Sequence, residues 1–229
     1  MTRQENEQFV RDFFKEAKPW YAQLVGSLVD DAEVAVEEAA TIFDGMIPEL
    51  AYVDKRDHPM ATAVFSTIAL LAVHLALRER GVEVHDFGSA MLTAMAQAPL
   101  PGPEQPVDDR PPLERFAGFV AHAEASQRDA VPGEYVFEAF LGDRTDFDWG
   151  MNIKSCAICH AFSKYDAMDL VPYFCAADDV LSDRGNQGLR RTGTIAVGAH
   201  QCDFRYKRGG EPQHLATQYP DRIRVVENS

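Results

Sequence analysis

The chain has 229 residues, and 46% of them are hydrophobic, which is enough to build a core and too much for a disordered protein. It carries 36 acidic and 22 basic residues, which gives a formal net charge of −14. Nucleic acids and anionic membranes attract positive charge, so this balance argues against both as partners. The acidic residues are spread along the chain, as is typical of a solubilising surface.

The first 98 residues are predicted to form an antiparallel layer of helices. Apolar residues recur at helical spacing in residues 9–28 and again in residues 31–50. A third helix is predicted from Pro59 to Arg80, because Gly81 suits the position after a helix end. A fourth is predicted for residues 86–98.

The apolar run of residues 65–77 is shorter than the roughly 20 residues that span a bilayer, so a buried helix is expected there. Its His74 is predicted to be a hydrogen-bonded core histidine. No secretion signal is visible in the polar first residues, and this predicts a cytoplasmic location. In a reducing compartment, cysteines are expected as thiols or metal ligands and not as disulfides. A homo-oligomer is compatible with these features.

The second half changes character. Residues 99–112 hold six of the 13 prolines and are predicted to be a linker. An α+β unit is predicted for residues 113–207, and a loose tail for residues 208–229. Within the unit, the patterns predict helices at 113–128, 156–165 and 167–183, and strands at 134–141, 147–154, 189–197 and 201–207. The whole is an α+β fold, a helical layer packed on a small antiparallel sheet with inserted helices.

All four cysteines lie in the last third of the chain, at Cys156, Cys159, Cys175 and Cys202. A thiol is the most reactive nucleophile or soft metal ligand that a side chain offers near neutral pH. Cys156 follows a predicted strand and begins a predicted helix, a position that lowers a thiol pKa. Since three different elements carry Cys156, Cys175 and Cys202, we expect these three to converge, with Asp178 one turn from Cys175.

Three interpretations of the cysteines remain open from the residues alone. A thiolate attacks an electrophilic carbon while His160, His200 or Asp178 moves protons. Alternatively, three cysteines bind zinc together with His160 or an aspartate. In the third interpretation the cysteines are small core residues, and Cys159 taken alone is assigned to this role.

The motifs of this region define a resemblance. They are Phe147-Asp148 through Asn152 into Cys156, Cys175-Ala176-Ala177-Asp178, Arg191-Thr192, and Gly198 followed by Cys202-Asp203-Phe204-Arg205. In these residues the chain resembles the L-2-amino-thiazoline-4-carboxylic acid hydrolase family. The same outline also resembles the 4-vinyl-reductase-like small-molecule-binding domains, some of which hold zinc on cysteines.

The first resemblance implies a hydrolase that acts on carbon–nitrogen bonds other than peptide bonds. Its substrate would be a small cyclic amidine-like ring, which opens to N-carbamoyl-cysteine, and no cofactor is expected. We expect Cys156 as the nucleophile and Asp178 for proton transfer or orientation. The remaining predicted site residues are Cys175 and Cys202 in catalysis, and Arg205, Arg191, His200 and Asn152 in substrate binding. Arg205 is the first choice for a substrate carboxylate, because a guanidinium binds it with two parallel hydrogen bonds.

The alternative, from the second resemblance, is a non-catalytic ligand-binding or sensor domain. It would carry a structural zinc on Cys156, Cys175, Cys202 and His160.

Overall fold

The computed structural model describes residues 2–97 and 113–224, except for the side chains of 113–115. The predicted linker, residues 99–112, lies outside the described residues. The helices of the described part are α1 Arg3–Val25, α2 Ala32–Met46, α3 Ala61–Arg78, α4 Val84–Gln97, α5 Leu113–Arg128, α6 Ala157–Ser163, α7 Val171–Arg184 and α8 Leu215–Gln218. The strands are β1 Val136–Leu141, β2 Trp149–Ser155, β3 Leu189–Arg190 and β4 Cys202–Tyr206. Short 3₁₀ turns occupy Ile47–Glu49, Val53–Lys55 and Ile195–Val197. The predicted α+β class is confirmed.

Helix α3 forms the centre of the helical layer, because apolar side chains cover almost its entire circumference. It packs against α1, α2, α4 and α6. By length and composition alone it could cross a membrane, but 78% of it is buried within the protein, as in a soluble core helix. His74 lies on it against the Phe87 ring, and burial lowers the His74 pKa to about 4. His74 was predicted to be hydrogen-bonded. This is wrong for its Nδ1 atom, which has no hydrogen-bond partner in the described part of the chain.

The sheet is antiparallel, in the order β1-β2-β4-β3, and β1 and β2 form the predicted hairpin. Its pairing register divides the side chains between two faces. The inner face carries Phe137, Trp149, Met151, Ile153, Cys202, Phe204 and Tyr206. Helix α5 covers one end of this face, where the Phe119 ring packs against Phe137 and Trp149. The opposite, outer face carries Glu138, Asn152, Asp203 and Arg205.

The third strand is much shorter than the predicted 189–197, since only Leu189 and Arg190 pair with β4. Beyond them the chain is held by the Asp203 carboxylate. This carboxylate accepts hydrogen bonds from the backbone N–H of Thr192 at 2.9 Å and that of Gly193 at 3.3 Å. These contacts replace the strand ladder, and the chain then forms a 3₁₀ turn.

The predicted loose tail is wrong for residues 208–224. Leu215 and Ile223 are buried, and the Leu215 N–H donates to the Asp179 carboxylate at 2.8 Å. The Arg224 N–H donates to the Tyr173 hydroxyl at 3.0 Å. Two isolated apolar residues give no periodic pattern, so the packing of this segment on α7 could not be read from its sequence.

Helices α4 and α7 meet at Gly88, and this contact gives a stability prediction. A Cβ built on Gly88 would lie 2.4 Å from the buried Tyr173 ring. We expect Gly88→Ala to lower the free energy of unfolding by about 1–3 kcal/mol, because the ring has to shift. Urea denaturation measures the change.

The matched control is Gly118→Ala on the exposed side of α5, where a Cβ would meet nothing within 4 Å. This variant is expected to gain about 0.5–1 kcal/mol, since alanine is the better helix former. Equal effects at both glycines would contradict the close α4–α7 packing.

Candidate active site

Cys156 lies at the junction between β2 and α6. The strand ends at Ser155 and the helix begins at Ala157, so Cys156 is the N-cap residue and keeps an extended backbone. Its Sγ accepts a hydrogen bond from the Cys159 backbone N–H at 3.5 Å. The residue is of intermediate exposure, neither fully buried nor open to solvent.

Cys159 is the direct partner of Cys156. The nearby Cys159 thiol is the main cause of a lowered Cys156 pKa. The backbone N–H groups of Cys159 and Ile158 lower it further, against the opposing effect of burial. The nearby Cys156 sulfur in turn raises the pKa of Cys159. The assignment of Cys159 as a core residue therefore misses its contact with Cys156.

The other two thiols are protonated near neutral pH. Burial raises the pKa of Cys202 to about 12, although its Sγ accepts a hydrogen bond from the Ile195 N–H at 3.3 Å. Burial also raises the pKa of Cys175, and the adjacent Thr194 hydroxyl offsets this only in part. Only Cys156 among the four has its pKa lowered.

The structure brings all four cysteines together. A negative charge on Cys156 acts on Cys159, Cys175 and Cys202 and raises each of their pKa values. Such mutual effects place the four thiols in one region of the protein, within electrostatic range of one another. The cluster is thus assembled by the β2–α6 junction, α7 and β4, the three elements that the sequence indicated.

Asp178 lies in this cluster and is joined to a buried arginine. The Arg191 side chain is fully buried and donates to the Asp178 carboxylate at 3.2 Å and to the Cys175 carbonyl at 2.9 Å. It also forms an ion pair with Asp179, which is itself buried. One cation therefore faces two carboxylates, and the group carries a net negative charge when both are ionised.

This arrangement raises the pKa of Asp178 to about 6. Burial is the largest cause and repulsion from Asp179 adds to it, while Arg191 acts in the opposite direction. Solvent still reaches 41% of the Asp178 side chain. Partial contact with solvent thus coexists with desolvation of the carboxylate by the surrounding protein. A carboxyl group that titrates near pH 6 and stays in contact with solvent is suited to proton transfer.

Two tyrosines complete the cluster, and neither was predicted as a site residue. Burial raises the pKa of both Tyr135 and Tyr206, and in each case the nearby Asp178 charge raises it further. The charge of Cys156 also acts on Tyr135. Strand alternation places Tyr206 on the same face as Cys202, so the sequence carried a signal for it. Tyr135 precedes β1 and has no such signal.

Two predicted substrate-binding residues lie on the outer face of the sheet, away from the cysteines. The Arg205 guanidinium donates to the Asn152 side-chain oxygen at 2.9 Å and stacks over Phe140 and Phe147. The structure therefore gives Arg205 and Asn152 contacts with each other and none with the cluster. Arg205 fails to reach the site because strand alternation turns it away from Cys202.

The other predicted partners include two histidines that lie on the surface and Arg191, which lies in the cluster. His200 is exposed just before β4, and His160 is exposed on α6, where its ring lies beside Gly133. Arg191 does lie in the cluster, but its charge is already balanced by two carboxylates. A substrate carboxylate would have to displace one of them, so Arg191 is better suited to hold Asp178.

The residues proposed for zinc do not match a zinc site. Within residues 2–97 and 113–224, no three His, Cys, Asp or Glu side chains are placed so that they could hold a metal ion. His160, the fourth ligand of that hypothesis, borders a surface pocket with Lys55 and Glu134.

Comparison with known proteins agrees with the motifs. The model of the L-2-amino-thiazoline-4-carboxylic acid hydrolase family matches residues 66–206, more than half of the chain. This stretch contains all four cysteines, Asp178 and Arg191. The chain therefore belongs to the L-2-amino-thiazoline-4-carboxylic acid hydrolase family, a family named for a hydrolase, and the resemblance is confirmed. No curated protein and no solved structure matches the chain.

The contact between the two thiols predicts the reactivity of Cys156. Iodoacetamide reacts with thiolates, so at neutral pH it should alkylate Cys156 faster than Cys159. Replacing Cys159 with alanine removes the side-chain donor, and we expect the midpoint of the rate–pH curve for Cys156 to move to higher pH. Peptide mass spectrometry after timed alkylation measures both rates.

Cys159→Ser is the matched control, because its hydroxyl can still donate to Cys156. The midpoint of the Cys156 rate–pH curve in this variant should stay closer to that of the protein with its native Cys159. A Cys156 midpoint that does not move in Cys159→Ala would show that the thiol contact has no influence on the Cys156 pKa.

Proposed function

We propose that the protein hydrolyses a small cyclic amidine-like ring, of which 2-aminothiazoline-4-carboxylate is the model, with Cys156 as the nucleophile. The observation that carries this proposal is the asymmetry of the cluster. One thiol has a lowered pKa and belongs to a residue that is not fully buried, and a carboxyl group with a pKa of about 6 lies near it. Nucleophilic catalysis needs this combination of an activated thiol and a proton acceptor.

In the first step the Cys156 thiolate adds to the amidinium carbon of the ring, which is bonded to two nitrogens and one sulfur. The carbon–sulfur bond of the ring then breaks, and the ring sulfur leaves as a thiolate that takes a proton from solvent. The product of this step is an isothiouronium group on Cys156. A thiolate is a good leaving group near neutral pH, so this departure needs no strong acid.

In the second step water attacks the same carbon, and ionised Asp178 accepts one of its protons. The bond from this carbon to the Cys156 sulfur breaks, which restores the thiolate and leaves a carbamoyl group on the substrate nitrogen. The proton on Asp178 and the extra proton of the amidinium pass to solvent. The net change is the addition of one water and the opening of the ring.

The neighbouring residues have positioning roles in this proposal. Arg191 fixes the Asp178 carboxylate through a hydrogen bond of 3.2 Å and keeps it ionisable despite its burial. The Cys159 backbone N–H donates to the Cys156 sulfur, and the nearby Cys159 thiol helps to hold the Cys156 charge. The Tyr135 and Tyr206 hydroxyls lie in range of the Asp178 charge, where they could donate hydrogen bonds to the substrate.

The nucleophile is tested by Cys156→Ser, a change that nearly conserves volume. Because a serine hydroxyl is not ionised near neutral pH, we expect turnover of 2-aminothiazoline-4-carboxylate to fall by about 10³-fold or more. Cys175→Ser is the matched control, since Cys175 is protonated in the same cluster, and it should keep most of its turnover. Formation of N-carbamoyl-cysteine, followed by chromatography, gives the rate.

An unchanged rate in Cys156→Ser would remove Cys156 as the nucleophile. No turnover in the unmodified protein, with correct folding shown by circular dichroism, would instead reject this ring as the substrate.

The role of Asp178 gives a pH dependence. As a base it has to be ionised, so kcat should rise with increasing pH through about 6, the pKa of this carboxyl. Asp178→Asn cannot accept a proton, and we expect it to lose this rise together with about 100-fold or more of kcat. The profile is recorded between pH 4.5 and pH 8, a window set by the pKa of about 6. A rise near pH 6 that persists in Asp178→Asn would assign the titration to another group.

A further inference from the structure

The spacing and proximity of Cys156 and Cys159 permit a second reaction, separate from ring opening. The two residues are separated by Ala157 and Ile158, and the Cys159 backbone N–H donates to the Cys156 sulfur at 3.5 Å. Neither residue is fully buried. Side chains three residues apart at the start of a helix face the same side, within the separation that a disulfide spans.

We propose that Cys156 and Cys159 are a reversible redox pair, which a hydroperoxide converts into an intramolecular disulfide. Hydrolysis does not require this second cysteine to be a thiol that touches the first. A serine in its place would donate an equivalent hydrogen bond. A thiol next to a thiolate on the same helix face, however, is the arrangement in which an oxidised sulfur is captured by its neighbour.

The reaction balances with the hydroperoxide as the oxidant. The Cys156 thiolate attacks one peroxide oxygen, the O–O bond breaks, and Cys156 becomes a sulfenic acid while hydroxide or an alkoxide leaves. The Cys159 sulfur then attacks the Cys156 sulfur, the S–O bond breaks, and the hydroxyl leaves as water with the Cys159 proton. The two thiols together have lost two electrons, and the hydroperoxide has gained these two electrons. A dithiol reductant reverses the change by exchange.

The contacts favour Cys159 as the partner over the other two cysteines. Cys175 lies beside the Thr194 hydroxyl, and the Cys202 sulfur accepts the Ile195 N–H at 3.3 Å. Both act on Cys156 through charge, whereas Cys159 in addition donates its backbone N–H to the Cys156 sulfur at 3.5 Å. Capture by Cys159 therefore needs the smallest movement.

The consequence for activity rests on the proposed function, but the disulfide itself does not. If Cys156 is the nucleophile, its oxidation stops ring opening and reduction restores it. The pair would then protect the nucleophile, because a disulfide is recovered by thiols while a sulfinic acid is not. Cys159 would serve both as hydrogen-bond donor and as resolving cysteine.

The test uses the reduced full-length protein and hydrogen peroxide at equimolar concentration. Free thiols are then blocked with N-ethylmaleimide, and tryptic peptides are analysed by mass spectrometry. Residues 155–164 form one peptide that contains both cysteines, while Cys175 and Cys202 fall in separate peptides. We expect this peptide to be unlabelled and lighter by two hydrogen atoms, and to become doubly labelled after dithiothreitol treatment.

In Cys159→Ser the sulfenic acid should persist on Cys156 and be trapped by dimedone. A disulfide from Cys156 to Cys175 or Cys202, a Cys156 sulfinic acid as the first stable product, or full labelling of the peptide after peroxide would each overturn the redox pair. Activity is measured on the same samples. If the 156–159 disulfide forms while ring opening continues at its full rate, the redox pair stands and the proposed nucleophile is wrong.

Discussion

The buried guanidinium of Arg191 is the constraint on which the site depends. It joins α7 to the segment after β3 through Asp178, Asp179 and the Cys175 carbonyl, and Asp179 in turn holds the tail at Leu215. A charge taken out of water is costly unless it is paired, so these elements have to fold around Arg191 together. Two carboxylates share this one cation. Repulsion between them contributes to the raised pKa of Asp178, which is about 6.

The same environment separates four identical side chains into different chemical species. Burial and mutual repulsion favour the protonated thiols of Cys175 and Cys202. Cys156 differs because the Cys159 backbone N–H donates to its sulfur, and the Cys159 thiol and the Ile158 N–H also lower its pKa. The proposed nucleophile and proton acceptor thus depend on local hydrogen bonding and burial, without a histidine. In the described part of the chain the two histidines nearest in sequence to the cysteines, His160 and His200, are both exposed.

Much of the fold could be predicted because its elements have strong periodicity. Helix α3 is apolar over nearly all its length. The two segments that form the β1–β2 hairpin are bounded by turn residues in the sequence. Convergence of the cysteines followed from their confinement to three neighbouring elements. What failed depends on partners that are distant in the chain. The third strand ends early because Asp203 binds the backbone of Thr192, and Tyr135 reaches the cluster only through the packing of β1. Arg205 was predicted to bind substrate, although strand alternation already places its side chain on the other face of the sheet from Cys202.

The central claim is that carbon from the substrate becomes bonded to Cys156 during turnover. Acid quenching within the first turnover, followed by intact-protein and peptide mass spectrometry, tests this directly with 2-aminothiazoline-4-carboxylate labelled with carbon-13 at its amidine carbon. The account predicts a labelled adduct on the peptide of residues 155–164, at Cys156, that disappears as N-carbamoyl-cysteine accumulates. Product formation with no adduct at any time, or an adduct confined to Cys175 or Cys202, would contradict it.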